Sequence, residues 1–413
     1  MIAGDTAVAR SLKELALSDL GPDTGRLAAP KDDFWRKLRA TGSEIWLDTG
    51  DIDEAAKLWT AEMTALTTNN TLLNKEVQKG IYDSFITKAN KVLSGLPLGE
   101  RVLDIAFVLN ARHGLRLVQR FGGKVSVELH TDLADDLAGI LEYGKRFHEI
   151  SPDHFIVKVP LTATGLLGAR KLREAGIPVN FTLEFSARQN AIVTAVAKPN
   201  YVNVFLGRLG SYLSDNKLGD GAFVGEKATL SSQKIVRSLS ARHREPTRQI
   251  GASIRSADQI EALAGIDVFT IPTAVVEKAR TGLSGDFASR LAEEYPITVA
   301  SGVSMKEIGL EKLWEVSDKV LALADSLDRE PPESGTGVAA RARELGCADM
   351  FPDLSPEAKG FLASEGKIPR HARWAEAIRR GELAIDTLLN LAGLASFTAD
   401  QAALDGRIRG LIA

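Results

Sequence analysis

Eight short segments rich in apolar and β-branched residues recur between residues 43 and 272, most of them followed by an amphipathic helical pattern. They span residues 43–48, 65–69, 124–130, 154–161, 178–185, 201–209, 248–254 and 267–272. Alternation of strand and helix implies parallel βαβ units, because a parallel neighbour is reached only through a crossover connection. Eight units within about 230 residues suit an α/β fold of the (β/α)8 TIM-barrel type. An open doubly wound sheet is the weaker alternative, since no Gly-x-Gly-x-x-Gly turn follows the first strand.

The connections carry their own punctuation. A helix is expected from about residue 165 to 175, with Thr164 as N-cap and Gly176-Ile177-Pro178 as its stop. Another, at 187–197, ends before Lys198-Pro199. About 54 residues separate the second and third strands, room for helices near 77–93 and 100–121. About 38 separate the sixth and seventh, read as a loop at 215–225 and a helix near 228–241. After the eighth strand, residues 305–327 read as one long amphipathic helix. The run DREPPESGTG at 328–337 is the best linker candidate. It divides a barrel domain with an N-terminal helical segment (1–327) from a linker and helical C-terminal extension (328–413).

Composition narrows the function. With 44% hydrophobic residues in 413, the chain can bury a barrel-sized core. A net charge of -3 shows no electrostatic appetite for nucleic acid or an anionic membrane. The single cysteine, Cys347, excludes an intrachain disulfide and a cysteine metal cluster. Six scattered histidines without His-x-x-x-His spacing give no reason to expect a metal. The stretch to Leu17 is interrupted by Asp5, Arg10, Lys13 and Glu14, so no signal-peptide core is expected. No apolar run approaches the roughly 18 residues that span a bilayer, and a cytoplasmic location is expected.

Within the strands, polar residues stand where apolar ones are the rule. Lys158 lies in His154-Phe155-Ile156-Val157-Lys158-Val159-Pro160-Leu161, a segment that reads as buried on both faces. A lysine there is either paired with a carboxylate or kept partly neutral, and a neutral amine attacks carbonyls. Asp48, Asn69, Glu128, Asn180 with Thr182, Asn203, and Ser253 with Arg255 are placed similarly, near the C-terminal halves where barrel sites are built. Singly each has a plain structural reading; Asp48 and Asn69 are also good turn and capping residues. Jointly they form a set able to do imine chemistry: a nucleophilic amine, two proton-handling carboxyls, and amides and hydroxyls to hold a sugar. Arg208 and Arg255, with Ser253, could clamp a phosphate.

At these residues the chain resembles the transaldolases, class I Schiff-base enzymes. The matching runs are LDTGDI (47–52), TTNNTLL (67–73), VSVEL (125–129), FIVKVPLTATG (155–165), GIPVNFTLEFSARQ (176–189), YVNVFLGRL (201–209) and GASIRSADQI (251–260). The resemblance implies Lys158 as the Schiff-base lysine and Asp48 as the aspartate serving the hydroxyl beside the cleaved bond. It implies Glu128 working with Thr182 through a water, and Asn69 and Asn180 holding a dihydroxyacetone unit. Asn203 and Phe205 fall on substrate-facing positions, and Arg208, Ser253 and Arg255 on phosphate-binding ones. Transfer of dihydroxyacetone from fructose 6-phosphate or sedoheptulose 7-phosphate to an aldose phosphate, in the pentose phosphate pathway and without cofactor, is the expected activity.

The related fructose-6-phosphate aldolases carry tyrosine where this chain has Phe205 and glutamine where it has Glu128, which favours transfer; Val159-Pro160 looks more like the aldolase branch. Three positions depart from the transaldolase pattern: Asn203 replaces serine, Glu184 an apolar residue, and Asn70 a proline. Beyond residue 328 the resemblance returns only at 397–412. Packing over the barrel mouth and self-association into a homo-oligomer are both open roles for this extension.

Overall fold

The computed structural model describes residues 7–18, 20 and 25–413. Residues 1–6, on which part of the N-terminal reading falls, lie outside the described residues. Eight strands close a parallel barrel in sequence order. They are β1 (Glu44–Asp48), β2 (Met63–Thr67), β3 (Lys124–Glu128), β4 (Phe155–Pro160), β5 (Val179–Thr182), β6 (Tyr201–Phe205), β7 (Arg248–Ala252) and β8 (Val268–Pro272). The last pairs with the first, and every pairing is parallel. Val157, Phe181 and Phe269 are fully buried or nearly so, as strands sandwiched between interior and helices require.

Seven strands lie inside the expected segments; β2 starts at Met63 and stops before Asn69. The sixth segment ends as strand at Phe205, and its remainder opens the helix Leu206–Asp215. The N-cap of helix Ala163–Glu174 is Thr162, not Thr164. Thr162 holds extended backbone and accepts the Gly165 N–H at 2.8 Å, whereas Thr164 is buried inside the first turn. Residues 77–93 are not one helix: Gly80, at φ +80°, separates Asn70–Gln78 from Asp83–Val92.

Residues 305–327 do not form the expected long helix either. Only Asp318–Arg329 is α-helical, preceded by a single 3-10 turn at Leu310–Leu313. Gly309 takes φ +67°, and Ile308, Leu310 and Leu313 are anchors of an irregular segment. Their spacing imitates a helical face because a loop pinned to a core also buries every third or fourth residue.

The last helix, Ile385–Ile412, crosses the mouth at the C-terminal ends of the strands. Asn390 Nδ2 donates to the carbonyls of Leu161 (3.1 Å) and Leu183 (2.9 Å), just beyond β4 and β5. Nearby, the buried Arg188 makes a two-pronged contact with Asp386 (2.7 Å on each arm) and meets Asp349 at 2.8 Å. Ser186 also donates to Asp386, and Lys312 to Asp349. At the far end, Asp405 faces His130 and Arg407 pairs with Asp83. The expected linker begins in the last turn of Asp318–Arg329, where Asp328 pairs with Arg170 and Lys198, both at 2.9 Å. Among the described residues no helix is long and apolar enough to cross a membrane.

Candidate active site

Strand register sets the centre of the site. Lys158 stands beside Glu128 of β3 and Asn180 of β5. Its Nζ lies 4.0 Å from Glu128 Oε2 and donates to the Thr68 carbonyl at 3.1 Å. Lys158 is 5% exposed and Glu128 3%, so charge on either is poorly solvated. Burial pushes the Glu128 carboxyl up, against the pull of Lys158, of the Asn70 N–H and of Arg208. Asp48, at the end of β1, accepts from Thr67 Oγ1 at 2.9 Å. Burial raises its proton affinity as well, opposed by Lys158, Thr67 and Arg255. One amine thus shares a largely buried pocket with two carboxyls, both easier to protonate than in water.

Around this trio the amides and hydroxyls are oriented by one another. Asn180 Nδ2 donates to Ser126 Oγ at 3.0 Å, and its Oδ1 accepts from Asn203 Nδ2 at 2.8 Å, which fixes the direction of the amide. Thr182 Oγ1, two residues beyond Asn180 on β5, is buried with no hydrogen-bond partner, an open valence on the same strand face. Asn69 takes its capping reading: Oδ1 accepts from Leu72 N–H (2.9 Å) at the start of helix Asn70–Gln78, and Nδ2 is not part of that cap.

A second pole lies across the mouth. Arg208, in the first turn after β6, is 5% exposed, and its Nη1 has no partner. Burial and the neighbouring Arg255 lower its proton affinity, to a pKa of about 10. Among the described residues neither arginine has an ion-pair partner, which leaves both guanidiniums free to meet an anion. Gly207 lets them meet: a Cβ there would lie 2.1 Å from the Ser253 carbonyl and 2.5 Å from Arg255 Cγ. Ser253 itself sits at φ +60°, a strained conformation for a non-glycine residue at the end of β7.

The three departures from the family pattern acquire physical meaning. Asn70, standing in place of a proline, has a backbone N–H, and that N–H donates to Glu128 Oε2 at 3.1 Å. Glu184 and Asn203 touch: the Asn203 N–H points at Glu184 Oε1 (3.4 Å), while Asn203 Nδ2 also donates to the Phe181 carbonyl. The β5–β6 ladder holds a single register pair, Asn180 with Tyr201, so these two side chains fill its open seam. Glu184 is fully buried with Oε2 unpartnered, and burial pushes its carboxyl well above the usual range.

Residue-by-residue reading missed the roof. Phe397 of the last helix lies with its ring 6.0 Å from Lys158 Nζ and 5.8 Å from the Arg208 guanidinium. Gly393, one turn earlier, lies so close to Arg208 that a Cβ would be 2.9 Å from Nη1. The returning resemblance at 397–412 was the one available signal. Ser126, which orients Asn180, was missed too, although strand alternation puts it on the interior face of β3 with Glu128. His130, Asp132 and Asp405 also cluster, but both ring nitrogens are engaged. Nδ1 accepts the Asp132 N–H at 3.1 Å and Nε2 faces Asp405 at 3.2 Å, a staple between β3 and the last helix.

Such a constellation suits addition of an amine to the carbonyl of a phosphorylated substrate. The model of the family "Transaldolase/Fructose-6-phosphate aldolase" matches residues 45–310. A protein named transaldolase from Xanthomonas euvesicatoria is 29% identical over 290 residues, 66% of this chain and 88% of the relative. The Saccharomyces cerevisiae transaldolase is 27% identical over 292 residues, covering 68% of this chain and 83% of its own. That of Chlamydia trachomatis is 29% identical over 241 residues, 56% and 73% respectively. The chain therefore belongs to the transaldolase/fructose-6-phosphate aldolase family and is an enzyme of the aldolase/transaldolase type.

Proposed function

We propose that the protein is a transaldolase of the pentose phosphate pathway. It moves a dihydroxyacetone unit from a ketose phosphate, fructose 6-phosphate or sedoheptulose 7-phosphate, to an aldose phosphate through a Schiff base on Lys158. The observation that carries this reading is the placement of Lys158 between Glu128 and Asn180 in strand register, facing the unpaired Arg208–Arg255 pole.

Arg208, Ser253 and Arg255 hold the donor's phosphate, while Asn69, Asn180 and Asn203 orient the hydroxyls of its first three carbons. The Lys158 amine attacks the C2 ketone. Glu128, with Thr182 and a water between them, supplies the proton that lets the carbinolamine lose water to the imine. Asp48 takes the proton of the C4 hydroxyl, and the C3–C4 bonding electrons flow into the protonated imine. The aldose phosphate leaves, and an enamine stays on Lys158. Phe205 has no proton to give that enamine, so it waits for an acceptor aldehyde. Attack on the acceptor reverses these steps, and water releases the new ketose. A fructose-6-phosphate aldolase-like or otherwise specialised Schiff-base aldolase is the alternative, favoured by Val159-Pro160.

Borohydride reduction with fructose 6-phosphate, followed by peptide mass mapping, tests the reading. A dihydroxyacetone-sized adduct on Lys158 is expected. A folded protein without adduct, or a Lys158→Ala variant within tenfold of wild-type turnover, would overturn it. Release of free dihydroxyacetone without an acceptor separates cleavage from transfer.

A further inference from the structure

At the opposite end of the barrel, below the N-terminal ends of β4 to β6, lies a cavity of about 790 Å³. That volume matches a small-molecule site, yet it belongs to the face away from the proposed chemistry. Its floor is apolar, made by Ile156, Pro178 and Tyr201. Six cationic side chains line it against two carboxylates, Glu174 and Glu245, although the whole chain is net negative at -3.

The cations divide by what they already do. Arg170 and Arg173 are structural: Arg170 pairs with Glu174 and Asp328, Arg173 with Glu245. Both also donate to carbonyls at the C-terminal end of the neighbouring helix Ala187–Ala197, of Val196 (3.4 Å) and Lys198 (3.1 Å). These contacts matter because helix C-termini repel anions, and here that negative pole is covered. Lys198 is taken by Asp328. Lys124, Arg242 and Arg244 are different: all three are exposed and make no ion pair among the described residues. His243 between the two arginines keeps a buried Nδ1 with no partner.

We propose that this cavity is a second ligand site, taking a small organic molecule with two or more phosphate groups. Lys124, Arg242 and Arg244 meet the phosphates, and the apolar floor takes the carbon skeleton. The floor is joined to the other end of the barrel by covalent chain: Ile156 and Tyr201 stand two residues below Lys158 and Asn203 on the same strands.

Titration calorimetry on the full-length protein, with inorganic tripolyphosphate as probe at low salt, tests the site. In Arg255→Ala, which disables the phosphate pole at the barrel mouth, one saturable site per chain is expected, weakened at least tenfold when Arg242→Glu/Arg244→Glu is added. Both reversed residues are exposed, so their reversal alone should leave transfer kinetics without the probe unchanged. Affinity indifferent to the reversal, affinity lost in Arg255→Ala, or no saturable binding below about 1 mM would each overturn the proposal; weakening by salt is expected for any such contact and decides nothing alone.

Discussion

Replacing Asn70 by proline would remove one hydrogen atom from the site and very little else. Asn70 is the first residue of helix Asn70–Gln78, where an N–H has no intrahelical acceptor and proline is well tolerated. The preceding Asn69 has φ -155° and ψ 172°, the extended conformation that a following proline demands. What disappears is the N–H donated to Glu128 Oε2 at 3.1 Å. A hydrogen bond to a charged group contributes about 1.5–3 kcal/mol, and 3.1 Å argues for the lower end. At about 1.4 kcal/mol per factor of ten, the Glu128 carboxylate should bind its proton roughly tenfold more tightly. If the carboxylate form serves imine hydrolysis, the acid limb of kcat/KM for dihydroxyacetone transfer moves up by about one pH unit. Asn70→Ala is the control: it keeps the N–H and loses only the long Nδ2 contact to the Leu129 carbonyl at 3.4 Å. Superimposable pH profiles for the two variants, both folded, would refute the reasoning.

Other residues make shorter predictions. Arg188→Ala should cost about 3–5 kcal/mol in denaturant unfolding, because Asp386, with no exposure, loses both arms of its partner; a loss below about 1 kcal/mol would mean the charge network is not holding the last helix down. Glu184 binds its proton more tightly folded than unfolded, so its contribution is complete at acid pH and drains away as pH rises through the raised folded value. Glu184→Gln should therefore gain melting temperature on wild type between pH 5 and pH 8, and an equal difference at both pH values in calorimetry sinks that account. Phe205→Tyr should raise acceptor-free cleavage of fructose 6-phosphate severalfold, by placing an acidic hydroxyl near the enamine; unchanged cleavage with transfer intact counts against the role given to Phe205.

The barrel itself was legible residue by residue. Strands flanked by helices on every side must be apolar throughout, so eight such runs at crossover spacing declare a parallel closed sheet, and Lys158 declares itself by breaking the rule. Side-chain parity then places Ser126 with Glu128, and Asn180 with Thr182, on the interior, because alternation along a strand is a local property. Local periodicity also misled. Residues 305–327 carry a helical spacing without a helix, since burial alternates in any segment pinned to a core and only Gly309's positive φ breaks the chain there.

Tertiary structure decided what depends on closure through space. The roof of Phe397, Asn390 and Asp386 lies 200 or more residues along the chain from the strand ends it meets in these contacts. No local pattern reports such a contact. Nor can sequence show which backbone groups serve a site: nearly every residue has an N–H, yet among the described residues only that of Asn70 meets Glu128 Oε2. Composition likewise shows no basic bias, while folding brings Lys124 at the start of β3 together with Arg242 and Arg244 of a single turn around one cavity. Which faces are buried follows from the order of side chains, whereas which groups meet follows from how the chain closes on itself.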